Sequence, residues 1–118
     1  MVVLAEDDID IRDLVTIVLE GVGLSVIAVR DGAEALGECR RLKPRLLMLD
    51  IGLAVMDGTE VCRAVRADPA LAELPVVVMT ARAQASGVKA GMDAGADHYI
   101  IKPFGPIELR ELLEEGGW

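Results

Sequence analysis

Two textures of apolar and polar residues alternate along this chain. Short unbroken apolar runs of strand length occur at Val2–Ala5, Leu24–Val29, Leu46–Leu49, Val76–Met79 and Tyr99–Ile101. Between them the apolar residues recur with helical spacing. Ile11, Leu14, Val15, Val18 and Leu19 mark one helix face, which Gly21 and Gly23 end. Asp31-Gly32 opens a second helix carrying Ala35, Leu36, Cys39 and Leu42, and Pro44 closes that connection. Asp57-Gly58 opens a third, with Val61 and Val65 inward, broken by Asp68-Pro69. A weaker helix rich in Ala and Gly covers about Ala85 to Ala94. Pro106 stands at the first turn of a fifth helix, which carries Ile107, Leu109, Leu112 and Leu113.

Five strand–helix units in order predict an α/β fold with parallel pairing and helices on both faces. The continuous apolar character of the central strands agrees, because such strands are buried on both sides. Composition narrows the picture further. At 118 residues the chain is expected to be one domain, spanning 1–118, and 53% apolar residues exclude a disordered tail. The apolar runs are too short to cross a bilayer, and no export signal is recognisable, so no membrane association is expected and the cytoplasm is the default compartment. A net charge of −8 argues against direct binding of nucleic acid, which needs Lys and Arg at phosphates. Cys39 and Cys62 lack metal-ligand spacing and read as core-filling residues.

In an open parallel sheet, ligands bind beyond the carboxyl ends of the strands. The residues just beyond each run are therefore informative. After the first come Glu6, Asp7 and Asp8; after the third, Asp50; after the fourth, Thr80; after the fifth, Lys102 and Pro103. Carboxylates packed together need a cation, and an oxygen-only ligand set suits Mg2+, with Mn2+ as an alternative. Asp50 has the chemistry of a carboxylate nucleophile toward phosphorus, and metal, Lys102 and Thr80 would neutralise the phosphoryl oxygens. Taken singly, each residue has a plainer role. Asp7, Asp8 or Asp10 can cap the first helix, Asp50 can end a strand, Lys102 can be a solvated lysine, and Tyr99 can fill the core or an edge. His98 reads as exposed and without a role.

The segments VVLAEDD, LLMLDIGLAVMDG, VVVMTA and AGADHYIIKPF, in this order and covering essentially the whole chain, resemble the receiver domain of two-component response regulators. The resemblance implies a flavodoxin-like (βα)5 three-layer sandwich whose five-stranded parallel sheet has the order 2-1-3-4-5. It implies that Asp50 accepts the phosphoryl group and that Glu6, Asp7, Asp50 and the Gly52 backbone carbonyl hold Mg2+. Asp8 adjoins the acidic pair Glu6 and Asp7 and falls just outside it. Thr80 and Tyr99 match the switch pair, Lys102 the phosphate-binding lysine, and Lys102–Pro103 a cis peptide. The implied partners are a sensor histidine kinase or phosphotransfer protein and an output domain or target protein. They would be reached through the surface of the fourth helix, fifth strand and fifth helix, which is also a route to a homodimer; Lys89, Asp97, Arg110 and Glu111 lie in that region. With no room for a DNA-binding domain, the chain is expected to be a stand-alone receiver or one cut from a longer protein. Such a domain is not an enzyme in the ordinary sense, catalysing only its own phosphoryl uptake and loss.

One departure from the family pattern is visible. Ala54 stands where the family usually has proline, so a more mobile loop is expected. Gly52 and Arg82 occupy positions that in the family tune phosphoryl lifetime. A phosphatase of the haloacid dehalogenase type would need a second aspartate two residues past the nucleophile, where this chain has Gly52. An FMN carrier would need a loop after the first strand suited to phosphate, where this chain has acids. A receiver used only for interaction would not need the intact set of acids, Asp50, Thr80 and Lys102.

Overall fold

The computed structural model describes residues 1–81 and 85–118. Along the chain run β1 (Val2–Ala5), α1 (Ile9–Gly21), β2 (Val26–Val29), α2 (Gly32–Leu42) and β3 (Leu46–Asp50). Next come α3 (Gly58–Ala67), β4 (Val76–Ala81), α4 (Ala85–Asp93), β5 (His98–Lys102) and α5 (Pro106–Gly116). All strand pairs are parallel and the sheet order is β2-β1-β3-β4-β5, the flavodoxin-like order expected from the sequence.

Side-chain alternation along the strands divides the core into two layers. Val3, Ala5, Leu47, Leu49, Val76 and Val78 pack with residues of α2 and α3. Val2, Leu4, Leu46, Met48, Val77, Met79 and Ile100 pack with α1 and α5. β1, the first four residues of β3 and the first five of β4 are wholly buried, which explains their uninterrupted apolar sequences.

Three local expectations change. β2 begins at Val26, because Leu24 N–H still donates to Leu19 O at 3.0 Å and Gly23 turns the chain at φ 88°. In α5, Leu109 and Leu113 are buried, while Ile107 is 69% exposed: two residues before Leu109, it lies about 200° around the helix. His98 is half-buried, with its ring edge-on to Trp118 at a centroid distance of 5.0 Å. Cys39 and Cys62 are buried free thiols, and burial pushes the Cys39 thiol up to about 12, so both are inert filling as expected.

Candidate functional site

Strand register decides what meets at the carboxyl edge of the sheet. Ala5 pairs with Leu49, so Glu6 follows β1 beside Asp50 at the end of β3. Asp50 pairs with Met79, Thr80 with Ile101, and Ala81 with Lys102. Alternation puts Asp50 in line with Leu46 and Met48, and Lys102 in line with Ile100, on the α1/α5 side of the sheet. Thr80 continues the line of Val76 and Val78 on the opposite side, and is fully buried.

Lys102 lies between two carboxylates, with Nζ 2.8 Å from Glu6 Oε2 and 3.0 Å from Asp50 Oδ1. All three side chains are largely out of water, at 16%, 1% and 13% exposure. Burial pulls the ammonium pKa down, but hydrogen bonding and charge from Glu6 and Asp50 outweigh it, leaving Lys102 above the ordinary lysine value. Burial, with the neighbouring Asp50 charge, raises the Glu6 carboxyl against the opposing pull of Lys102 and the Asp8 amide. The lysine is therefore a fixed counter-ion, unlike the solvated residue its sequence position alone suggests.

Glu6, Asp7 and Asp50 each place a carboxylate oxygen within 4.8 Å of the others. Glu6 Oε2 is buried, and the Lys102 ammonium at 2.8 Å is its contact. Carboxylate oxygens gathered this closely, without sulfur or nitrogen ligands among them, fit a hard divalent cation. Charge agrees: three ionised carboxylates and one ammonium leave two negative charges, the complement of Mg2+ or Mn2+. Asp8 stands outside the cluster. Its Oδ1 accepts the amides of Asp10 at 2.9 Å and Ile11 at 3.2 Å, so it is the cap of α1.

The loop after Asp50 is held from two sides. Gly58 N–H donates to Ile51 O at 2.9 Å, and Ala54 O accepts from Gly32 at 3.3 Å and from Met56 at 2.8 Å. A carbonyl taking two donors fastens the position where the family usually has proline. Tyr99 is 45% exposed on the edge strand, the Lys102–Pro103 peptide is cis, and Arg82 lies outside the described residues. In the fourth-helix region Asp97 pairs with Arg66 at 2.8 Å and Lys89 with Asp93 of its own helix at 2.7 Å.

The match to known proteins is extensive. Residues 2–114 fit the family model of the response regulator receiver domain. The chain belongs to the receiver-domain family of two-component response regulators. It is 41% identical over 108 residues to the DNA-binding response regulator MtrA of Mycobacterium tuberculosis, covering 92% of this chain and 46% of that protein. The chain thus spans about half the length of the curated relatives it matches. The chemotaxis response regulator CheY4 of Vibrio cholerae superposes with a TM-score of 0.90 at 29% identity, covering 97% of this chain and 95% of that one. The receiver domain of the sensor histidine kinase PA1611 from Pseudomonas aeruginosa, solved with a magnesium ion coordinated in its active-site cleft, gives 0.88 at 28% identity. That match covers 97% of this chain and 93% of the other. As a member of this family the chain is a phosphorylation-dependent switch. Among the described residues, no helix is long and apolar enough to cross a membrane.

Sequence spacing did not disclose the role of the two Asp-Gly pairs beyond opening helices. Asp31 and Asp57 do cap α2 and α3. Their glycines, however, lie against the loop after Asp50, and the only sequence signal of this was the repeated dipeptide itself.

Proposed function

We propose that this receiver takes a phosphoryl group on Asp50 from a histidine kinase or phosphotransfer protein, with Mg2+ held by Glu6, Asp7, Asp50 and the Gly52 carbonyl. The observation that carries the reading is the Lys102 ammonium seated between Asp50 and Glu6 within a cluster of three carboxylates. A bound divalent cation supplies charge neutralisation for the incoming phosphoryl oxygens. An Asp50 carboxylate oxygen bonds to phosphorus as the bond from phosphorus to the donor's imidazole nitrogen breaks. Lys102, already charged and close by, transfers its contact from carboxylate to a phosphoryl oxygen. An apolar groove of about 340 Å³, lined by Ile11, Leu14, Pro103 and Phe104, lies beside Lys102 and adjoins the site.

Phosphorylation adds charge and acceptor oxygens on the α1/α5 side of the sheet. Thr80 then turns from the other side toward them, Tyr99 fills the space it leaves, and the α4-β5-α5 surface shifts in population. That surface is read by an output domain, a target protein or a second copy. The domain extends over 1–118, and the chain itself does not contact nucleic acid.

Incubation with acetyl phosphate and Mg2+ is expected to add one phosphoryl group to the intact chain by mass spectrometry, dependent on metal and lost in Asp50→Ala. Label that survives Asp50→Ala, or no label at all, rejects the reading.

A further inference from the structure

Residues 51–57 run from the end of β3 to the start of α3 and carry Gly52 past the acceptor. A Cβ built on Gly52 would stand 3.6 Å from Asp50 Oδ2, so the first turn of the loop adjoins the carboxylate itself. At this near end the loop is pinned by Gly58. Its N–H bonds Ile51 O, and a Cβ there would meet Asp50 O at 2.6 Å and Ile51 Cα at 2.8 Å.

The far end is pinned by a different helix. Gly32, the first residue of α2, is buried under Met56. Asp31 and Ala54 form an isolated parallel bridge, and the Gly32 N–H reaches Ala54 O. A Cβ on Gly32 would overlap the Met56 carbonyl oxygen outright and stand 2.7 Å from its carbon and 2.8 Å from Met56 Cβ. Gly32 has no positive φ, so its backbone conformation would suit any residue. Space for the Met56 carbonyl is what demands glycine here. Between the pins Val55 is held at φ 69°, a conformation a β-branched residue keeps only where its surroundings over-determine it.

We propose that Gly32 of α2 is a positioning residue for phosphorylation at Asp50. By admitting the Met56 carbonyl into contact, it sets the path of residues 51–57 and hence the place of the Gly52 backbone beside Asp50. It thereby controls how tightly the site takes its divalent cation. This rests on the reading of Asp50 as acceptor and Gly52 as a metal ligand.

The test compares wild type, Gly32→Ala, Met56→Gly and Leu36→Ala. The second variant keeps the Met56 carbonyl but removes the side chain that holds it in place, freeing the loop backbone while leaving α2 intact. Leu36, on α2 but in the core, serves as a control for stability loss alone. Half-saturating Mg2+ is read from the Mg2+-dependent rise in melting temperature, and phosphorylation by acetyl phosphate from intact mass. Hydrogen exchange reports the amides of residues 51–57. Gly32→Ala is expected to raise half-saturating Mg2+ about tenfold, the scale of losing a support behind a metal ligand. It should also speed exchange at residues 51–57, and saturating Mg2+ should restore much of the phosphorylation rate. Met56→Gly should move in the same direction, and Leu36→Ala should lower the melting temperature without moving the Mg2+ midpoint. Should Gly32→Ala not fold, Met56→Gly decides alone. An unchanged Mg2+ midpoint in the folded variants, or an equal shift in Leu36→Ala, overturns the inference while a labelled wild type keeps the reading of the site. A wild type that takes no label overturns both.

Discussion

Asp57 illustrates how much one side chain does for the start of a helix. Its Oδ1 accepts the Thr59 hydroxyl at 2.6 Å and the Glu60 amide at 3.0 Å. These bonds, the hydroxyl first, hold its carboxyl below the ordinary value of 3.8. A carboxyl depressed on folding stabilises the protein above its unfolded pKa, and that contribution disappears as pH falls through the lower, folded value. Asp57→Ala is therefore expected to cost about 1 kcal/mol at pH 7 in urea unfolding. The difference from wild type should shrink below pH 3.8. A difference independent of pH would mean that the charge contributes nothing. Val55 makes the opposite case. It is 79% exposed and held at φ 69°, so its side chain gains little from burial and strains its backbone. Val55→Gly is expected to stabilise the fold by about 0.5–1 kcal/mol, seen as a raised urea midpoint, after glycine's entropy in the unfolded chain is set against the relieved strain. A lowered midpoint would show that the valine makes up for its conformation.

At the scale of elements, α3 is tied to the turn that leads into β5 by Arg66. Its guanidinium donates to Gly95 O at 2.8 Å, Leu74 O at 2.6 Å, Ala72 O at 3.2 Å and Asp97 Oδ2 at 2.8 Å. The same Asp97 oxygen accepts the Val76 amide at 2.8 Å, so β4, β5 and α3 are joined at the edge of the sheet opposite the site. Gly95 belongs to the same joint: it has φ 112°, and a Cβ there would stand 2.8 Å from Arg66 Cγ. Arg66→Met is expected to lose about 2–3 kcal/mol, because several part-buried acceptors lose their donor together. Arg66→Lys should recover little, since an ammonium cannot span the fork. Urea unfolding measures both, and full recovery by lysine would reduce the joint to simple charge pairing. The joint also employs Asp97, one of the charges that sequence position offers to a dimer face.

For the whole molecule the decisive quantity is charge balance. The chain has a net charge of −8, and three of its carboxylates, Glu6 buried, Asp50 half-buried and Asp7 exposed, share one cluster with one ammonium. Lys102→Met leaves Glu6 beside Asp50 with no counter-ion. Without metal at pH 7 it is expected to cost about 3 kcal/mol, the scale for breaking a buried ion pair. Mg2+ should stabilise this variant more than wild type, because cation binding then also relieves the repulsion. Chemical unfolding with and without Mg2+ checks both statements. Equal metal-free stabilities would show that Lys102 is not the compensating charge.

Much of this was legible in the chain itself. The strand runs, the helix faces and the caps at Asp8, Asp31 and Asp57 follow from short-range periodicity and capping chemistry, which local sequence carries. The residues at the strand ends were legible for the same reason, since a parallel sheet directs attention to Glu6, Asp50, Thr80 and Lys102. Register and close approach were not. That Glu6 is buried against Lys102, that Thr80 starts on the opposite side of the sheet from Asp50, and that Gly32 leaves room for Met56 all depend on segments far apart in sequence. Local chemistry determines which elements form and which groups stand at their ends. Only packing decides which of those groups lose their water and come within bonding distance.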